Sequence, residues 1–145
     1  MNEIHSVHHV ALTVSDLESS ERFYETLGFS PERRIRFDSP AAARVTDVLG
    51  ARLEMAFLTL GGFRLELIEY TPRGRQDARA GNDLGSSHIC LQVDRIEDVY
   101  SRLAALGVPF ISTPYHDPSG VSMTYFSDPD GNRLELLEIK DGREG

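Results

Sequence analysis

Two histidines and two glutamates occupy matching places in the two halves of this sequence: His9, Glu66, His88 and Glu135. An offset of 79 (88 − 9) relates the histidines, and an offset of 69 (135 − 66) relates the glutamates. Imidazole nitrogens and carboxylate oxygens form a mixed donor set suited to Zn²⁺, Ni²⁺, Co²⁺, Mn²⁺ or Fe²⁺. A six-coordinate ion with four such ligands keeps two positions for water or for two adjacent oxygens of a substrate. The spacing therefore predicts one divalent metal site.

Each glutamate lies in a copy of the motif G-x-R-L-E-L, which starts at Gly62 in the first half and at Gly131 in the second. Side chains alternate in an extended chain, so each glutamate should project from a strand on the face opposite its flanking leucines. The second copy follows the turn sequence D-P-D-G-N at residues 128–132. A tight turn that feeds a strand is therefore predicted before Glu135.

The remaining histidines and the cysteine are weaker candidates. His8 should point with the apolar residues of its strand, and it has no counterpart in the second half, so we exclude it as a ligand. His5 and His116 lie in terminal or loop-like sequence and are expected to be solvated, although His116 could belong to a loop over a cleft. Cys90 should share a strand face with His88, but a small core residue is its expected role.

The elements that must position these residues repeat in the order strand, helix, three strands. The capping box Ser15–Glu18 predicts a helix that starts at Asp16 and ends at Gly28. Asp94 and Glu97 predict the matching helix, which ends at Gly107 with Leu106 facing inward. We expect a two-residue hairpin at 61–62, a short strand at 109–113 and the first arm of the last hairpin at 121–126. Ten extra residues in the first half (79 − 69) are placed within 34–52, as a strand end followed by a loop or short helix.

Composition excludes several classes of partner. The net charge of −8 and the isoelectric point near 5.0 argue against nucleic acid and anionic membrane surfaces. No apolar run has the length of a spanning helix, and the first residues lack the pattern of a signal peptide, so a cytoplasmic protein is expected. The single cysteine excludes an internal disulfide framework.

In each of the two repeated modules a histidine opens the first strand and a glutamate lies in the last, and D-P-D-G-N precedes the final strand. The two modules resemble those of the vicinal oxygen chelate superfamily. That group includes glyoxalase I, methylmalonyl-CoA epimerase, extradiol dioxygenases and bleomycin-resistance proteins, and residues 34–54 are similar to its cyclitol (valiolone-type) epimerases. The resemblance implies one α+β domain over 1–145, with module one at about 5–70, a linker at about 71–85 and module two at about 86–140. It also implies a curved, partly open, eight-stranded barrel-like sheet around a metal cleft. The family's four metal ligands fall on His9, Glu66, His88 and Glu135.

The chemistry to be expected of such a site is proton transfer next to a carbonyl. A bound metal ion would stabilise the enediolate, and Glu66 and Glu135 would act as bases on opposite faces of the substrate. We therefore predict an epimerase or isomerase that acts, as a homodimer, on a small molecule with vicinal oxygens. A glyoxalase I-type lactoylglutathione lyase is the main alternative, because that enzyme keeps all four ligands. Extradiol dioxygenases use two histidines and one glutamate, so the presence of Glu66 disfavours that interpretation. Drug-binding resistance proteins usually lack the complete set of four ligands, which this chain has.

Overall fold

The structure is a computed structural model that describes residues 3–77 and 79–140. Its elements follow the predicted order in each half: β1 (Val10–Val14), α1 (Leu17–Thr26), β2 (Ser30–Asp38), α2 (Ala41–Thr46), β3 (Arg52–Leu60), β4 (Phe63–Thr71), β5 (His88–Gln92), α3 (Ile96–Ala105), β6 (Tyr115–His116), β7 (Val121–Ser127) and β8 (Arg133–Ile139). The chain divides into two compact units, 1–76 and 77–145. Among the residues that the structure describes, no helix has the length and apolar character that crossing a membrane requires.

The first unit is a four-stranded sheet in the order β1-β4-β3-β2, with β1 parallel to β4 and the other pairs antiparallel. Helix α1 buries Leu17, Ser20 and Tyr24 on one face. The predicted hairpin is confirmed, because Leu60 pairs with Phe63 around two glycines whose φ values are 54° and 83°. Backbone of this kind matches the twist of the two arms and strongly favours glycine. The hairpin fixes the register of β3 against β4.

The two faces of this sheet have different roles. Leu58, Leu65 and Leu67 are fully buried in the core of the unit. Cross-strand neighbours share a face, so Phe57, the partner of Glu66, lies with that glutamate on the opposite face. We call this second face the site face.

The ten extra residues of the first half form α2 and its flanks. Residues Ala42 and Ala51 are fully buried and cluster with Leu53 and Met55 of β3. The cross-strand partners of these two β3 residues, Tyr70 and Ile68, pack against the same cluster. The predicted insertion therefore supplies an apolar layer on the site face, beyond Glu66.

The second unit repeats the sheet in the order β5-β8-β7-β6, again with the first and last strands parallel. The short strand predicted at 109–113 is wrong. Phe110 makes only an isolated bridge with Phe126, and β6 is two residues long, at 115–116. Ser127 donates to the Pro109 carbonyl, and Ile111 donates to that of Tyr125. The register has shifted by the time Tyr115 pairs with Met123, so no regular ladder runs through the segment.

The helix starts differ from the predicted caps. Asp16, not Ser15, caps α1, and its carboxylate accepts the N–H of Ser19 at 2.9 Å. The cap predicted for α3 from Asp94 and Glu97 is wrong, because no side-chain hydrogen bond from the neighbouring residues that the structure describes caps this helix. Instead, the N–H of Ile96 donates to Glu138 Oε2 at 2.7 Å, across 42 residues of sequence. The end of this helix also differs, since the predicted inward Leu106 is 61% exposed.

The pKa of the Glu138 carboxyl and that of its repeat equivalent, Glu69, are shifted in opposite directions. The Ile96 N–H holds the pKa of Glu138 below its ordinary 4.5, against the opposing effect of burial. Burial raises the pKa of Glu69, and the nearby charges of Asp16 and Glu54 raise it further. A carboxyl group whose pKa is lowered by folding stabilises the protein at pH values above its unfolded-state pKa, and this contribution is lost as the pH falls. A carboxyl group whose pKa is raised by folding destabilises the protein as the pH rises.

We predict that Glu138→Gln lowers the free energy of unfolding by about 1 kcal/mol near neutral pH, because the α3 cap loses its charged acceptor. The loss should shrink as pH falls through 4.5 and below, where wild-type Glu138 becomes protonated. Urea denaturation between pH 7 and pH 3 measures both effects. In the matched variant Glu69→Gln the free energy of unfolding at pH 7 should instead equal or exceed that of wild type. A Glu138→Gln protein as stable as wild type at pH 7 would contradict the assignment of the cap.

Candidate metal centre

The first half-site consists of His9 and Glu66. His9 immediately precedes β1, and Ala11, two residues later, is the parallel-strand neighbour of Glu66. This register places both side chains on the site face, with Nε2 of His9 3.0 Å from Oε2 of Glu66. Glu66 is only 6% exposed, and a buried carboxylate needs a polar partner of this kind.

The second half-site consists of His88 and Glu135 and follows the same plan. His88 opens β5, and Cys90, two residues later, is the neighbour of Glu135 in β8. Nε2 of His88 lies 3.4 Å from Oε1 of Glu135, and Glu135 is 9% exposed. The structure thus brings each predicted histidine to its predicted glutamate within a unit.

A chain of polar contacts orients His9. The Arg64 guanidinium pairs with Glu32 through contacts of 3.0 and 3.2 Å and also reaches Nε2 of His8 at 3.2 Å. Arginine only donates, so Nε2 of His8 accepts, and the proton of His8 lies on Nδ1. Nδ1 of His8 is 2.7 Å from Nδ1 of His9, so a hydrogen bond joins the two rings and directs Nε2 of His9 at Glu66. His8, excluded as a ligand, is therefore the residue that orients His9.

An aromatic ring lies across the strand from each glutamate. Phe57 pairs with Glu66 and Tyr125 with Glu135. The His9 and Phe57 rings meet edge to face with centroids 5.4 Å apart, and the His88 and Tyr125 rings do so at 5.1 Å. These contacts limit the rotation of both imidazoles. Sequence reasoning missed both aromatics, although each lies in the strand before a motif glutamate and could have been found by pairing the hairpin arms.

The environment of Glu135 is more polar than that of Glu66. Cys90 is exposed and faces Glu135, so the predicted core role for this cysteine is wrong. Although the residue as a whole is exposed, partial burial of its sulfur, followed by the charge and hydrogen bonding of Glu135, raises the pKa of Cys90 to about 12. Burial also raises the pKa of Tyr125, with the Glu135 charge and a hydrogen bond to that carboxylate among the further causes. In the first half-site the corresponding residues are Ala11 and Phe57, which have no polar side-chain group.

The other histidines lie apart from these pairs. His5 is exposed. His116 was expected in a solvated loop, but it lies in β6, where Nε2 is 2.6 Å from Glu97 of α3 and Nδ1 is 2.8 Å from the hydroxyl of Ser122. It therefore ties an edge strand to a helix.

The donor atoms within each half-site fit the needs of a metal ion. Imidazole and carboxylate bonds to Zn²⁺ are roughly 2.0–2.2 Å long, which separates adjacent ligand atoms by roughly 2.8–3.6 Å in octahedral or tetrahedral geometry. The observed separations of 3.0 and 3.4 Å fall within that interval. Within residues 3–77 and 79–140, no three or more His, Cys, Asp or Glu side chains are grouped so as to hold a metal ion, so each unit presents two of the four predicted ligands.

Known proteins resemble this chain over nearly its whole length. The model of the glyoxalase/bleomycin resistance protein/dioxygenase superfamily matches residues 6–136. A 2-epi-5-epi-valiolone epimerase from an Actinomyces species is 28% identical, covering 94% of this chain and 81% of that protein. The metallothiol transferase FosB of Lysinibacillus sphaericus is 26% identical, with 92% and 82% covered. A solved glyoxalase family protein from Bacillus cereus is 25% identical with a TM-score of 0.85, over 94% of this chain and 95% of the other. These matches confirm the resemblance and the α+β fold class predicted from the sequence.

We predict that Tyr125→Phe weakens Zn²⁺ binding by about tenfold, because the hydrogen-bonded partners of a ligating carboxylate tune its affinity for metal. The ring that contacts His88 is retained, so the loss reports the hydroxyl alone. Titration of zinc against a chromophoric competitor measures the change. Tyr115→Phe is the matched control, since that exposed hydroxyl bonds to Asp117 at 3.3 Å instead. Equal affinities for wild type and Tyr125→Phe would show that this hydroxyl does not support a ligand.

Proposed function

The chain belongs to the glyoxalase/bleomycin resistance protein/dioxygenase superfamily, and from this premise we propose that it is a divalent-metal-dependent epimerase or isomerase. The observation that carries the proposal is the pairing of a histidine with a buried glutamate at the same place in both modules, at 3.0 and 3.4 Å. The relative named as a 2-epi-5-epi-valiolone epimerase supports this reaction type. The substrate is a small molecule with vicinal oxygens, and the protein works as a homodimer.

His9, Glu66, His88 and Glu135 would together hold the ion, which is Zn²⁺, Ni²⁺, Co²⁺, Mn²⁺ or Fe²⁺ by the chemistry of the donor set. When bound, such an ion supplies a Lewis acid that polarises a substrate carbonyl and makes the neighbouring C–H more acidic. Phe57 keeps the His9 imidazole directed at its glutamate.

The two glutamates are the proposed acid–base pair. Both carboxylates are buried, at 6% and 9% exposure, so few water molecules compete for their oxygens. One glutamate removes a proton from the carbon next to the carbonyl, and the other returns a proton to the opposite face of that carbon. The outcome is inversion at one stereocentre.

We expect the isolated protein to contain about one divalent ion per chain, as the proposal of a single ion held by all four residues requires. An ion that binds only the folded state raises the melting temperature, so dialysis against a chelator should lower it. His88→Ala should remove this sensitivity, whereas the exposed-site control His5→Ala should keep it. Elemental analysis and calorimetric melting curves provide the readouts. If the protein neither contains nor takes up metal, the proposed enzyme class is wrong.

Glu66→Gln and Glu135→Gln separate metal binding from proton transfer, because glutamine keeps a ligand oxygen but is not a base. Each variant should lose turnover while the opposite glutamate still exchanges the substrate proton with solvent. NMR in deuterated water, with candidate 2-hydroxyketones, should show deuterium incorporation without inversion. Retention of both metal and full turnover in the two variants would place the bases elsewhere in the chain.

A further inference from the structure

The second unit contains a polar cavity of about 240 Å³ next to the second half-site. Its wall includes Asp77, Arg79, Ser87, Asn132 and Arg133. Ser87 directly precedes the candidate ligand His88, and Arg133 is the cross-strand neighbour of His88. The Arg133 guanidinium also lies 5.9 Å from the centroid of the Tyr125 ring, which contacts the same histidine. The cavity and the half-site therefore share a wall.

The internal repeat shows that the charge of Arg133 is unusual. Its equivalent in the first unit, Arg64, is neutralised by two contacts with Glu32, at 3.0 and 3.2 Å. Across the described ranges 3–77 and 79–140, no carboxylate lies within 4 Å of the Arg133 guanidinium as an ion-pair partner. The reason lies in the strands, because Glu32 belongs to the nine-residue β2, whereas the matching β6 has two residues.

The other charged residues around the cavity do not neutralise the positive charge of Arg133. Asp77 is engaged by Arg79 at 2.7 Å, so the acidic member of the wall already has its cation. The positive charge of Arg133 is therefore not neutralised by an ion pair with any described residue, and it faces a cavity that can hold more than one water molecule. The chain as a whole has a net charge of −8.

The backbone at Gly81 lies close to the Arg133 guanidinium. A Cβ atom built on Gly81 would overlap Nη1 of Arg133 and come within 3.3 Å of its Cζ. The backbone of the loop thus passes directly over the arginine, and any larger residue at 81 would push the side chain aside. The loop at Gly81 therefore covers one side of the Arg133 guanidinium, and β8 carries the arginine on the other side.

We infer that this cavity is an oxyanion-binding subsite, which takes a carboxylate or phosphate group of the substrate and seats it on Arg133 with help from Ser87. The planar guanidinium presents paired N–H donors that match two oxygens of either group. The inference rests on the proposed function, because the subsite would position the substrate against the half-site of His88 and Glu135. It narrows the substrate class to small oxygenated molecules that carry one anionic group.

The test is a titration of metal-free protein with sodium phosphate and, separately, with sodium acetate at constant ionic strength in chloride. Amide signals of Ser87 and Asn132 and the Nε–H signal of Arg133, followed by ¹⁵N NMR, should shift and saturate. Arg133→Gln should weaken this binding at least tenfold. Gly81→Ala should weaken it too, although the arginine charge is kept. The control Arg22→Gln should bind as wild type does, because that exposed arginine of α1 is paired with Glu18 at 3.2 Å.

Saturation by phosphate alone or by acetate alone supports the subsite and identifies the group it takes. Unsaturated shifts spread over the whole surface would overturn it, as would an equal loss in Arg133→Gln and Arg22→Gln. Zinc uptake measured on the same samples keeps this result separate from the proposed function. A protein that binds zinc but no oxyanion refutes only the subsite, and one that binds oxyanion but no zinc refutes only the metal centre.

Discussion

The parallel pairing of the first and last strands in each unit is the constraint on which both half-sites depend. Parallel neighbours cannot be joined by a tight turn, so a helix and two further strands must lie between them. Each histidine is therefore remote in sequence from its glutamate, by 57 residues in one unit (66 − 9) and by 47 in the other (135 − 88). A register shift of one residue would turn the imidazole to the opposite face of the sheet. The ladder thus fixes which side chains meet.

Much of this arrangement could be predicted from sequence because it depends on local signals. Alternation in the strands, the glycine pair at 61–62 and the glycines that end α1 and α3 each act within a few residues. The repeat then relates the two halves, so evidence for one strand also counts for its equivalent. The positions of Glu66, His88 and Glu135 on strands, and of His9 immediately before one, follow from these signals together.

The features that sequence reasoning missed depend on contacts between distant segments. The cap of α3 comes from Glu138, which no rule about the first helical turn can identify. The aromatic partners of the half-sites depend on the register between two strands, and the exposure of Cys90 depends on which strand lies at the sheet edge. The shortness of β6 reflects the change of register against β7 between Phe110 and Tyr115, which appears only once the two segments are paired.

The two modules have kept one backbone plan while their side chains have diverged. Phe57 and Tyr125 occupy the same position with different polarity, and Ala11 and Cys90 do likewise. The first half-site also borders the apolar layer of α2, which the second unit does not contain among its described elements. Equivalent glutamates therefore have unequal surroundings, and an asymmetric substrate would meet a different environment at each.

The cap of α3 also bears on the order in which the protein is made. Asp16 lies three residues from the N–H that it caps, so α1 can complete its first turn as soon as that short stretch leaves the ribosome. The first turn of α3 instead waits for Glu138, 42 residues downstream, and hence for the last strand of the chain. Loop closure over that distance must precede the bond, which makes α3 a late element and β8 the strand that completes the second unit.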